Sequence, residues 1–281
     1  MKPRVMILVI FTAFVGMMLA PETVSPIQYF NILLSITLGA GSSAAINMWF
    51  DEDIDRSMER TKERPIPLGI ISKNEALIFG ILTGFASLIV MYFYSNTLAT
   101  VLLLFTILFY VFVYTIWLKR ITSLNIVIGG AAGAIPPIIG WASIIPEISF
   151  LSSSMFLIIF FWTPPHFWAL SVYRFNDYEK VKVPMLPNVT SIQDTKNQIV
   201  YYTFILIALS YLPFFSNLIG YIYLFAATLL NIILIMNALK LKRSKEIKNI
   251  ANKEGLRFFA ITIFYLFSIF ASLLTDNLIR I

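Results

Sequence analysis

Residues 97–118 read TLATVLLLFTILFYVFVYTIWL, an apolar run without a single charge, stopped by Lys119-Arg120. At ~1.5 Å of rise per residue, a helix of this length crosses the ~30 Å hydrocarbon core of a bilayer. Working outward, eight more runs of similar character appear, at 5–20, 27–50, 75–94, 124–145, 149–172, 199–216, 219–239 and 257–275. Each is predicted to be helical, because lipid offers no partner for an unpaired backbone group. The ten-residue alternation of a β-barrel is not seen. The fold expectation is therefore all-α: a polytopic membrane protein of about nine transmembrane helices, bundled around a central cavity open to the cytoplasmic side. Residues 1–281 are read as one membrane-embedded domain.

Composition agrees. Apolar residues make up 58% of the 281 and charged residues 13%, against about 25% charged in soluble domains. Phe (25) outnumbers Lys plus Arg (21), and mean hydropathy is +0.81. Such a chain has too little polar surface to cover itself, which excludes a soluble enzyme, a disordered protein and a nucleic-acid-binding domain. The pI near 9.4 reflects loop charge. Cys is absent, so thiolate chemistry and disulfides are excluded. The opening Met1-Lys2-Pro3-Arg4 and the run behind it are read as a retained span, since Leu19-Ala20-Pro21 is a poor cleavage site.

Every Lys and Arg except Arg280 falls at the N-terminus or in the segments 51–74, 118–123, 173–198 and 240–257. The positive-inside rule then places the N-terminus and those segments in the cytoplasm, and nine spans put Arg280 opposite. The lack of an Arg/Ser-rich leader points to a bacterial cytoplasmic (inner) membrane. The acids cluster after the second and the sixth span, a spacing that hints at two four-helix halves plus one helix.

Asn47, Asp51 and Asp55 are spaced i, i+4, i+8. On a continuous helix they form one ridge, ~6 Å apart, with Asp53 on another face. Stacked like charges repel, and a hard divalent cation offsets this. Mg²⁺ is typically held by one or two carboxylates plus substrate phosphates. Arg60 and Arg64 follow, and guanidinium forks match phosphate oxygens. Lys119 and Arg120 close the same diphosphate from a third side, or are plain positive-inside charge. The bland alternative for the ridge is a solvated acidic helix end.

The second cluster is Trp162-Thr163-Pro164-Pro165-His166-Phe167-Trp168 through Tyr178. Pro164-Pro165 should break or kink the span. His166, Tyr173 and Asp177 then lie within about 60° on one helix face, with His166 up to ~16 Å deeper than Asp177. His166 is the chain's only histidine. It reads as an axial ligand or porphyrin contact, as a proton donor or acceptor, or as a structural histidine at a helix break. Asp177 is the second carboxylate arm of a metal–diphosphate site. Tyr114 and Tyr173 line the pocket or belong to the interfacial aromatic belt. Gly129-Gly130-Ala131-Ala132-Gly133-Ala134 suits close helix packing, or a flat slot for a planar ligand.

These stretches resemble the UbiA-type intramembrane prenyltransferases, and within them the protohaem IX farnesyltransferases. The resemblance covers residues 2 to about 190. It runs through Asn47 to Asp55, Arg60-Thr61, Arg64-Pro65, Tyr114-Thr115, Leu118-Lys119-Arg120, Asn125 to Gly130, Pro136-Pro137, Gly140-Trp141, Thr163-Pro164-Pro165-His166-Phe167-Trp168, Asp177-Tyr178 and Pro184-Met185-Leu186-Pro187. It implies transfer of a farnesyl group from farnesyl diphosphate to a vinyl group of haem b, with addition of water, giving haem O and diphosphate. It implies that Asn47, Asp51, Asp55 and Asp177 hold Mg²⁺–diphosphate, with Arg60, Arg64 and Lys119 as diphosphate contacts. A haem A synthase or terminal oxidase assembly is the implied recipient. One departure is Val181, where the wider superfamily often carries a second aspartate; Glu179 stands nearby. The rivals are a UbiA-type enzyme acting on a quinone precursor or chlorophyll-like ring, an ion-coupled transporter, and a haem-chaperoning assembly factor.

Overall fold

A computed structural model describes residues 3–181, 183–245 and 252–279. Lys2 and Arg280, on which the orientation argument leans, and 246–251 of the basic 240–257 loop lie outside them. The described residues are helical and contain no strand. The helices are α1 (Pro3–Met18), α2 (Pro26–Phe50), α3 (Glu52–Ser57), α4 (Lys73–Tyr94), α5 (Thr97–Leu108), α6 (Asn125–Ala134), α7 (Pro136–Ile144), α8 (Phe150–Tyr173), α9 (Phe175–Lys180), α10 (Leu186–Val189), α11 (Ile192–Leu209), α12 (Tyr221–Arg243) and α13 (Lys253–Ile279). Among the described residues, eight stretches are long and apolar enough to cross a membrane, with Met6–Met18 as a shorter ninth. The chain is a polytopic membrane protein. Exposed Phe85, Phe93, Phe225 and Tyr221 suit lipid as solvent, since a water-facing surface rarely carries so continuous an apolar coat.

Local chemistry sets the boundaries. Ser25 and Gln28 form a capping box ahead of α2, with Pro26 in its first turn. Ser72 and Glu75 do the same for α4. Each box satisfies backbone donors that the helix start leaves unpaired. Asn217 takes a left-handed conformation, φ 62°, and turns the chain between the 3₁₀ turn Leu212–Ser216 and α12. Two expectations are corrected. The first helix stops at Met18 rather than residue 20, and the seventh begins at Ile192 rather than residue 199.

α8 runs unbroken through Pro164 and Pro165, against the expected break. Proline's fixed φ is helical, so the cost is confined to lost hydrogen bonds and crowding of the preceding turn, which packed neighbours in a membrane tolerate. The helix ends instead at Tyr173. Arg174, at φ −104° and ψ 28°, redirects the chain into α9. Asp177 is therefore not on the helix that carries His166, and the shared face and ~16 Å depth expected from a continuous helix do not hold.

Contacts divide the chain into two compact units, 1–120 with 135–152, and 121–134 with 153–281. In the first, α2 packs along α4 through small residues. Ser42 Oγ donates to Gly80 O at 2.6 Å and Ser35 Oγ to Ser87 O at 2.7 Å. A Cβ on Gly84 would lie 2.8 Å from Ser42 Oγ. Between lipid-solvated helices, such close approach and interhelical hydrogen bonds replace the hydrophobic drive. α1 and α7 meet still more tightly, where Gly16 faces the Pro137 carbonyl and Gly140 faces the Ala13 carbonyl.

In the second unit, α12 is held at both ends by buried charge. Asp276 of α13 accepts from Gly220 N at 2.5 Å and Tyr223 N at 3.0 Å. Lys196 of α11 donates to Ser244 O at 2.9 Å. An anion at the N-terminus and a cation at the C-terminus complement the helix dipole and fill unpaired backbone positions. Between them, Asn231 bonds to Ser210 Oγ at 2.9 Å and accepts from Tyr265 at 2.9 Å, which ties α11, α12 and α13 together. α6 meets α8 where a Cβ on Gly130 would lie 2.9 Å from Thr163 Cγ2, so the small-residue run serves packing at that position.

The glycines give a paired test. Gly140→Ala drives a methyl into backbone that cannot yield, and is expected to lower unfolding stability by about 1–3 kcal/mol. Gly133→Ala meets nothing within 4 Å and is expected to be neutral, or to stabilise by up to about 1 kcal/mol through helix propensity. Thermal unfolding in detergent compares the two.

Candidate active site

The end of α2 sets the first cluster. Asp51 leaves regular helical geometry at φ −90° and ψ 14°, which separates α2 from α3. The i→i+4 ladder nevertheless carries across it, with Asp51 N on Asn47 O at 2.9 Å and Asp55 N on Asp51 O at 2.8 Å. The bend keeps the Asn47–Asp51–Asp55 spacing intact. Asn47, Asp51 and Asp55 are all buried, at 3%, 1% and 4% exposure. The solvated acidic helix end is thereby overturned.

Buried carboxylates cost several kcal/mol each unless paired, and the structure supplies partners from three segments. Asn47 Nδ2 donates to Asp51 Oδ2 at 2.7 Å and to Thr115 Oγ1 at 3.2 Å. Lys119 Nζ pairs with the same Asp51 oxygen. Arg64 Nη1 reaches Asp55 Oδ2 at 2.6 Å, and Thr61 Oγ1 donates to the Asp55 carbonyl at 2.9 Å. Asp53 faces elsewhere, as expected, and holds Arg120 through two bonds of 2.8 and 2.7 Å. Those bonds hold the Asp53 carboxyl below its usual range. Arg120 also lies 5.0 Å from the Phe50 ring centroid and 3.8 Å from Asp51 Oδ1. Arg60 is exposed and makes no ion pair among the described residues.

Lys119 follows an irregular segment. Phe109–Trp117 is a π-helix, followed by the 3₁₀ turn Leu118–Arg120. The i→i+5 bonding of a π segment widens the turn, and such segments are frequent at functional sites. Thr115, inside the π segment, and Lys119, just past it, meet Asn47 and Asp51, which are also four apart. The Tyr114 and Tyr110 rings meet at a tilt, 42° and 5.2 Å between centroids, in the same segment.

Asp51 Oδ1 is sealed and has no hydrogen-bond partner. Among the described residues, no three His, Cys, Asp or Glu side chains are grouped to hold a metal alone. An orphaned carboxylate oxygen with Asp55 one turn on fits the sparser donor set of a Mg²⁺ ion whose other ligands are phosphate and water.

The second unit carries the remaining candidates. Asp177 on α9 lies 3.4 Å from Arg174 Nη1, and Arg174 sits 5.0 Å from the Tyr173 ring centroid. Glu179 is exposed, two residues and thus about 200° around from Asp177, so it does not join that carboxylate. His166 is buried, stacked on Trp162 at 4.2 Å and on Phe259 at 4.3 Å. Its Nδ1 lies 2.7 Å from Thr262 Oγ1.

Sequence reasoning missed Thr115, Thr61 and the part played by Asp53. The signal for Thr115 and Asp53 is weak because each acts through a contact between segments distant in sequence, and Thr61 acts on a backbone carbonyl six residues back, which no residue type marks. The π segment has no sequence mark beyond its apolar, aromatic composition.

A model of the UbiA prenyltransferase family matches residues 9–271. A protein of Pelagibacter ubique named protoheme IX farnesyltransferase is 48% identical over 279 residues, covering 99% of this chain and 92% of that one. The fold is similar to a solved structure described as digeranylgeranylglyceryl phosphate synthase in membranes, with TM-score 0.78 and 17% identity over 99% of this chain and 94% of that one. It is also similar to a UbiA homologue from Archaeoglobus fulgidus bound to DMAPP and Mg²⁺, with TM-score 0.66 and 18% identity over 96% and 95%.

Two predictions concern the acid–base pairs. Lys119→Met leaves Asp51 without its ammonium and is expected to cost about 3–5 kcal/mol of stability. Combining it with Asp51→Asn recovers much of that, a coupling readable by a double-mutant cycle. For Asp53 the folded pKa is depressed, so the Arg120 clamp stabilises above the ordinary aspartate pKa of about 3.9 and is lost as pH falls through the folded value. The Tm difference between wild type and Asp53→Asn is expected to be positive at neutral pH and to vanish in acid.

Proposed function

The chain belongs to the UbiA prenyltransferase family, and on that premise we propose that it transfers a farnesyl group from farnesyl diphosphate to a vinyl group of protohaem IX (haem b), with addition of water, giving haem O and diphosphate. The observation that carries the reading is the buried Asp51, with one oxygen that accepts no hydrogen bond and bases already drawn onto the acids around it. The near-full-length likeness to a named protoheme IX farnesyltransferase supports the acceptor. Mg²⁺ is the proposed cofactor, supported by the Archaeoglobus homologue solved with that ion. Asp51 and Asp55, with Asn47 and Asp177, would hold it. When bound, it supplies charge neutralisation to the leaving diphosphate.

The chain's own residues do the rest. In the resting arrangement Lys119, Arg64 and Arg120 sit on Asp51, Asp55 and Asp53. Each base thus waits near the position of a phosphate oxygen, and the exchange needs side-chain rotation rather than refolding. Arg60, exposed and without an ion pair among the described residues, adds a further guanidinium. Together these groups stabilise the charge that grows as the allylic C–O bond breaks. Farnesyl C1 bonds to the terminal vinyl carbon, positive charge moves to the carbon beside the porphyrin ring, and water adds there with loss of a proton. Tyr114 and Tyr173 present π faces to the allylic cation, and the apolar surround keeps bulk water away until the vinyl group attacks.

The reading takes residues 1–281 as one catalytic domain in a bacterial inner membrane, with its charged segments on the cytoplasmic side. Both substrates suit it, since each pairs a charged end with an apolar body. A haem A synthase or terminal oxidase assembly takes the product onward. The ridge ends a helix rather than lying at mid-membrane, which speaks against an ion-coupled transporter, whose sites lie near the midplane.

Asp51→Asn and Asp55→Asn are each expected to lower turnover at least about 100-fold, the scale of losing a preorganised charge contact, while the protein stays inserted. Incubation with labelled farnesyl diphosphate, haem and Mg²⁺, followed by mass analysis of the pigment, measures it. Chelation of the metal is expected to stop diphosphate release, and wild-type yield in either variant would count against the assigned roles.

A further inference from the structure

His166 is positioned more tightly than a packing residue requires. Trp162, one turn earlier on α8, covers one ring face at an interplanar angle of 19°, and Phe259 of α13 covers the other at 23°. Phe167 packs edge-on at 5.2 Å and 83°, so what surface the imidazole keeps lies along the rest of its edge, and the lone pair of an imidazole nitrogen lies in the ring plane. The Thr262 hydroxyl donates to the Phe259 carbonyl at 2.7 Å, so its single proton is spent. It therefore accepts from His166 across the 2.7 Å contact, which puts the proton on Nδ1. Nε2 is left as the unprotonated nitrogen. It makes no hydrogen bond among the described residues, and the histidine retains 7% of its surface.

A ring N–H donated to a fixed acceptor while the other nitrogen stays bare is the arrangement that orients metal-ligating histidines. We propose that His166 Nε2 binds the iron of the porphyrin substrate, and that Thr262 is the positioning residue that holds the ring in this tautomer. This rests on the reading of haem as acceptor. No redox change is involved: the lone pair displaces a weak axial ligand such as water. The bond fixes the porphyrin along one axis, within the apolar span and about 10 Å from the end of α8, given seven residues at ~1.5 Å each. Facing rings prevent the imidazole from tilting, so the iron position is set to within the play of one bond.

The test is optical. Purified full-length protein in nanodiscs is titrated with haem, with zinc-free and iron-free protoporphyrin IX as the control ligand. Wild type is expected to show the Soret and resonance Raman signatures of an iron–imidazole bond. His166→Phe, which fills the same stack, and His166→Asn are expected to lose that signature while still binding metal-free protoporphyrin. His166→Met is expected to shift the spectrum to that of a thioether ligand, and added imidazole to restore the wild-type spectrum in His166→Asn. Thr262→Val is expected to lower the iron–imidazole stretching frequency, and Thr262→Ser to keep it. An unchanged haem spectrum in His166→Phe and His166→Asn overturns the inference, and if those variants still make farnesylated pigment the functional reading stands. If wild-type protein binds no haem at all, both fall together.

Discussion

A carboxylate that is 1% exposed at the end of a membrane helix is the constraint around which the first unit is arranged. Asp51 is stable there only because Asn47 and Lys119 reach it, Lys119 from the 3₁₀ turn that follows a π segment. Removing water from the charge is what makes it useful. In a site of low dielectric an anion binds a cation far more strongly than at a solvated surface, and the same desolvation forces the resting protein to neutralise itself. The internal ion pairs are thus the resting form of a binding site, with the protein's own bases standing where charge will later be needed.

The packing around this site follows from the solvent. Lipid-facing helices gain little from burying apolar side chains, so they meet through glycines, serines and single hydrogen bonds. The Ser42–Gly80 and Ser35–Ser87 contacts fix α2 against α4, and so fix the base from which Asn47 and Asp51 project. In the second unit, buried charge does the equivalent work at the ends of α12. Both units place their most costly polar groups at helix ends, where unpaired backbone or an opposite charge offsets them.

Much was legible beforehand because it rests on local rules. Helix number follows from apolar run length. The Asn47–Asp51–Asp55 ridge follows from spacing, which survives the bend at Asp51 because the backbone ladder continues through it. Where local rules failed, a tertiary term outweighed them. Pro164-Pro165 did not end α8, since neighbouring helices in lipid tolerate the missing bonds. The helix broke at Arg174, which carries no breaker signal, so Asp177 does not share the face of His166.

The amino-acid sequence by itself determined that this chain lives in a bilayer, which runs of it span, and which few acids and bases are available for chemistry, because hydrophobic run length and residue type are properties of the chain alone. Only the tertiary structure decided which of those charges neutralise each other. Lys119 serves Asp51, Arg64 serves Asp55, Arg120 serves Asp53 and Thr262 sets the tautomer of His166. Apart from Arg64 and Asp55, nine residues apart, those pairings depend on distance and desolvation between segments far apart along the polypeptide, which no local pattern encodes.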